Sequence, residues 1–165
     1  LVARLPARAA YARPAIALDL DDAAHAVTCV ALRVLTPPRP EVVVIHAYDI
    51  PYASLVYPSL SRDEVDAAKR EHQREVMQKL AKRLDAARRD LDLESESGQP
   101  WKALVRYGSP RLVVERAIKS LDTDLLVLGS RGYSGAAYAF LGTVAGDLLR
   151  EAKCDVLVVP PASRA

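Results

Sequence analysis

Little in this chain supports metal, redox or membrane chemistry. Among 165 residues there are two cysteines, one methionine, one tryptophan and one phenylalanine. Cys29 and Cys154 stand far apart, with no CxxC pair and no Cys/His cluster, so a structural zinc site is excluded and reduced, buried thiols are expected. His25, His46 and His72 share no ligand spacing. No apolar run approaches the length of a membrane span, and residues 1–14 carry Arg4, Arg8 and Arg13 but no hydrophobic core of a signal peptide. A net charge of +2 from 23 basic and 21 acidic side chains provides no global field for nucleic acid or an anionic membrane, so any anion site must be local. Together these absences predict a soluble, cytoplasmic protein. The length allows one domain with a substantial core.

Short apolar runs alternate with helical periodicity along the chain. Residues 15–19 read as a strand, and Asp21 or Asp22 caps a helix whose inner side is marked by Ala26, Cys29, Val30 and Val34, ending before Pro37-Pro38. Residues 41–48 give a second strand. Positions 65, 68, 72, 76, 80, 84, 87 and 91 trace one side of a long charged helix that starts near Ser61 or Asp63. Its alternating Lys, Arg and Glu residues are a solvated face. A third strand at 102–107 precedes Ser109-Pro110, a cap with a first-turn proline, and a helix marked by Leu112, Val113, Ala117 and Ile118. Strands at 124–128 and 155–159 flank a last helix at 143–152. Strands separated by helices predict a doubly wound α/β fold with a parallel sheet and helices on both faces. In such sheets ligands bind beyond the carboxyl ends of the strands, where strand order reverses.

Gly129 to Thr143, GSRGYSGAAYAFLGT, follows the apolar run Leu125–Leu128 and precedes an amphipathic stretch. Glycines at a strand-to-helix turn let backbone N–H groups approach an anion, and the helix adds its dipole. The run lacks the lysine of a Walker loop, and its first glycines are spaced Gly-x2-Gly-x2-Gly, unlike the dinucleotide fingerprint. It resembles the Gly-x2-Gly-x9-Gly-Ser/Thr signature of the universal stress protein family, carried here by Gly129, Gly132, Gly142 and Thr143. Ala15–Asp19, Val42–Tyr48 and Cys154–Pro160 resemble that family's first, second and last strands.

The resemblance implies a five-stranded sheet in the order 3-2-1-4-5, which sets Asp19 beside Gly129 in one cleft. It also implies an adenine-nucleotide site, for ATP or AMP and with Mg2+. Asp19 suits the ribose hydroxyls, and the end of the second strand, His46 and Ala47, suits the adenine. The loop from Arg131 to Gly142, with the Thr143 hydroxyl and the Arg131 charge, suits the phosphates. Asp21 and Asp22 are read as helix caps. Where the family continues with Gly or Phe and then Ser, Leu20-Asp21-Asp22 adds negative charge near the phosphates. The functional expectation is an ATP-binding stress or signalling module, with a weak ATPase or a dimeric scaffold without nucleotide as alternatives. No residue is marked as a water-positioning base. Val156, Leu157, Val158 and Val159 form an apolar strand at the expected sheet edge, where two copies would pair, and coverage by a tail is the competing expectation. Residues 1–14 read as an arm or inter-domain linker of a tandem protein, 15–160 as the domain and 161–165 as a tail.

Overall fold

The computed structural model describes residues 1–6, 9–21, 23–49, 60–93, 101–130 and 141–161. Among these, five strands alternate with helices: β1 (Pro14–Ala17), α1 (Ala23–Val34), β2 (Val42–Tyr48), α2 (Arg62–Asp90), β3 (Trp101–Tyr107), α3 (Pro110–Ser120), β4 (Leu125–Gly129), α4 (Thr143–Glu151) and β5 (Asp155–Val159). All strand pairs are parallel, in the order β3-β2-β1-β4-β5. Central β1 is in register with both neighbours: Ile16 pairs with Val44 on one side and Val127 on the other. Buried on both faces, β4 is apolar from Leu125 to Leu128, as a central parallel strand requires.

Two apolar layers enclose the sheet. On one face Ala24, Val27, Ala31 and Leu32 of α1 and Val76, Leu80 and Leu84 of α2 pack over Ile16, Val44 and Val127. On the other, Val114, Ala117 and Ile118 of α3 and Ala145 and Leu148 of α4 cover Ala15, Ile45 and Leu126. The alternation of inward residues along β1, β2 and β4 thus divides the core. The long helix begins as its sequence predicts. Ser61 Oγ accepts from the Glu64 N–H, and the Glu64 side chain accepts from the Ser61 N–H, a reciprocal capping box.

Four local expectations need correction. The buried face of α1 is Ala24, Val27, Thr28, Ala31 and Leu32, while Val34 is exposed. This helix carries few charges, so its sequence offers no polar face to define the opposite one. In α3 the buried side chains are Val114, Ala117 and Ile118, and Leu112 is exposed. Ser109 occupies the cap position of α3 without a side-chain capping bond; Pro110 takes the first turn. The first strand ends at Ala17, and Leu18 extends it only through its N–H bond to Ile45 O at 3.0 Å.

The N-terminal arm is docked. Val2 forms an antiparallel bridge with Val156, N–H to O in both directions at 2.8 and 2.9 Å, so the arm covers part of the outer edge of β5. The buried Asp155 carboxylate receives the Arg4 and Leu5 N–H groups at 2.6 and 2.8 Å and the Tyr11 hydroxyl at 2.8 Å. Asp124 receives the Ala12 and Arg13 N–H groups at 2.7 and 3.0 Å. Among the described residues no helix is long and apolar enough to cross a membrane.

Candidate functional site

β1 and β4 lie side by side, while the chain leaves β1 for a helix on one face of the sheet and β4 for a helix on the other. Their carboxyl ends therefore part, and the space between them is a cavity of about 350 Å3. Such a reversal point is where doubly wound sheets hold ligands. Ala17, Leu18 and Asp19 come from the β1 exit, Ile45 and Ala47 from β2, and Leu128 and Gly129 from β4. Gly142, Thr143, Val144 and Ala145, at the start of α4, form the opposite wall, and Pro110 and Val114 of α3 contribute apolar surface.

Of the residues expected at the site, Asp19, Ala47, Gly129, Gly142 and Thr143 line this cavity together. Arg131 and Gly132 lie outside the described residues. His46 is not among the lining residues. The two-residue period of β2 turns it to the face shared by Val44 and Tyr48, where its ring is buried and Nδ1 lies 2.7 Å from Leu18 O. It thereby ties the end of β1 to β2, next to Asp19.

Asp21 also lines the cavity, beyond the capping role that its sequence position suggested. Its Oδ1 accepts the Ala23 N–H at 3.0 Å at the start of α1. Burial raises the Asp21 carboxyl above its ordinary value and the nearby Asp19 charge adds to this, while the Ala23 and Ala24 N–H groups and Arg83 pull the other way. Arg83 of α2 reaches under the loop and donates to Asp21 O at 2.7 Å and Leu20 O at 3.0 Å. No signal in the sequence marks Arg83, one of many charges along α2; only its contact across 62 residues reveals it.

Among the described residues, no side chain caps the start of α4. Its cap residue is Gly142, with no side-chain capping bond, and the Gly142 N–H donates to Ser130 O at 2.8 Å. The first N–H groups of a helix have no partner within it, so those of Thr143, Val144 and Ala145 are available to a ligand. Among the described lining residues, Asp19, Asp21 and Thr143 alone carry polar side-chain groups. The cavity thus combines an apolar slot, a carboxylate side and an N–H and hydroxyl side. Among the same residues there is no nucleophile paired with a base, and among all described residues there is no group of three or more His, Cys, Asp or Glu side chains that could hold a metal ion.

The chain is similar to known proteins in both sequence and fold. A universal stress protein of Synechocystis, Sll1388, is 38% identical over 64 residues, covering 39% of this chain and 42% of that protein. The matched segment therefore spans less than half of that relative's length. The solved structure of universal stress protein UspA from Lactobacillus plantarum superposes with a TM-score of 0.65 at 22% identity, over 92% of this chain and 99% of that one. A universal stress protein solved in complex with cAMP gives 0.59 at 19% identity, over 92% and 98%. The sequence pattern of the universal stress protein family matches residues 11–160, nearly the whole chain, and the chain belongs to that family.

Proposed function

We propose that this protein is a stress-response module that binds an adenine nucleotide, ATP or AMP, in the cavity between β1 and β4, and acts through self-association and partner binding. The observation that carries this reading is the cavity's polarity: carboxylates at the β1 exit face an uncapped helix start with a hydroxyl at Thr143. Ribose hydroxyls donate well to Asp19, adenine fits the apolar wall of Ile45, Ala47 and Val114, and phosphate suits the α4 N–H groups. The cAMP complex of a relative supports an adenine ligand in this fold. Two carboxylates also suit a hard cation, and Mg2+ would arrive with the phosphates, keeping most of its waters. In this reading residues 15–160 are the nucleotide-binding unit, residues 161–165 are a tail, and two copies meet through the β5 edge, Val156 to Val159, once the arm at Val2 gives way.

Calorimetry with ATP and AMP tests the reading. The expected outcome is binding by the parent and a loss of about tenfold or more in Thr143→Ala combined with Gly142→Val, with circular dichroism unchanged; a tenfold loss corresponds to about 1.4 kcal/mol. Equal affinity in both proteins, or no heat in the parent, contradicts it.

A further inference from the structure

We infer that Asp21 determines ligand specificity in this cavity: it acts as a resident anion that confines ligand charge to the α4 side and admits polyphosphate only together with a divalent cation. The inference rests on the nucleotide-binding reading above and narrows it to a ligand class.

Two helices begin at the cavity, α1 and α4, and an open helix start attracts anions through its free N–H groups and its dipole. They differ in what occupies them. At α1 the Ala23 N–H is bonded to Asp21 Oδ1 at 3.0 Å, so the protein's own carboxylate holds a donor that a phosphate would take, and the Ala24 N–H is turned to the Asp21 backbone carbonyl at 3.4 Å. At α4 the cap is a glycine with no side-chain bond.

Asp21 is also held in place. Arg83 binds the carbonyls of Leu20 and Asp21 rather than the carboxylate, fixing the loop while leaving the charge in the cavity. Among the described residues neither Asp19 nor Asp21 has an ion-pair partner within 4.0 Å. The two carboxylates are near enough for Asp19 to raise the carboxyl of Asp21. Each further negative charge on a ligand therefore meets repulsion from the β1 side, which a divalent cation bridging carboxylate and phosphate oxygens removes. The favoured ligand class carries hydroxyls toward β1 and a single phosphate toward α4.

Asp21→Asn isolates the charge, because the amide oxygen can still accept the Ala23 N–H in nearly the same volume. Calorimetry with adenosine, AMP and ATP, each in chelator and with Mg2+, is compared between parent and variant. The expected result is an ATP affinity raised about tenfold without metal, equivalent to about 1.4 kcal/mol, with adenosine within about twofold and the ATP gain mostly abolished by Mg2+. Asp21→Ser, which keeps a capping oxygen, must reproduce this pattern if the amide variant folds poorly. An unchanged ATP affinity, or an equal change for adenosine and ATP, overturns the inference while leaving nucleotide binding intact. Absence of binding by any of the three ligands to either protein overturns the nucleotide reading and the inference with it.

Discussion

Asp155 shows how one residue can organise a terminus. Burial alone raises its carboxyl, but the N–H groups of Arg4 and Leu5 and the Tyr11 hydroxyl outweigh burial and hold it below the ordinary value. Its partner moves the other way: burial, followed by the bond to Asp155 and its charge, pushes Tyr11 up to about 12. The arm is thus stabilised by an ionised Asp155 and a neutral Tyr11. A lowered carboxyl contributes stability above its unfolded value of about 4, lost as pH falls through the lower folded value, whereas Tyr11 contributes below about 10 and loses this as pH rises further. NMR of the arm amides should therefore show docking at neutral pH and release at the acid extreme. Asp155→Asn should weaken docking already at neutral pH; an arm that stays fully ordered in that variant contradicts this account. None of this was legible in the sequence, because Asp155 reads as the first residue of a strand and its partners lie 144 to 151 residues away.

At the scale of elements, legibility followed contrast between faces. The stripe of α2 stood out because charges surround Val76, Leu80, Leu84 and Ala87, and its start was read near Ser61 or Asp63; the pairing of Ser61 with Glu64 is a finding of the structure. In α1, where Ala, Val, Cys and Thr occupy most positions, the chosen stripe was wrong, since packing against the sheet rather than pattern selects the face. β5 is the strand where pairing between copies was expected, with coverage by a tail as the competing expectation. From Val156 to Val159 the strand is apolar, it forms the sheet edge, and the arm bridges it at Val2 and bonds its first residue, Asp155, through Arg4, Leu5 and Tyr11. An exposed apolar edge favours pairing with another chain, and a bonded segment blunts it. Val2→Pro removes the N–H donated to Val156 O and should raise self-association in sedimentation experiments. A variant that stays as monomeric as the parent at the same concentration contradicts a capping role for the arm.

For the whole molecule, the strand order β3-β2-β1-β4-β5 brings Asp19 and Gly129, 110 positions apart in the chain, to one cleft. Apolar runs and helical periods indicated an α/β alternation, but the order of strands came from the resemblance carried by Gly129, Gly132, Gly142 and Thr143. The glycine spacing located the α4 wall. Asp21 was visible as an extra acid, but its position in the cavity depends on the loop that Arg83 holds. In the proposed reading an adenine nucleotide binds at the reversal point between β1 and β4. An NMR titration with AMP and with ATP plus Mg2+, following backbone amides, tests whether it does. Saturable shifts are expected to concentrate at residues 17–21, at Gly129 and at Thr143 to Ala145. Shifts confined to other surfaces, or none at millimolar ligand, would contradict it.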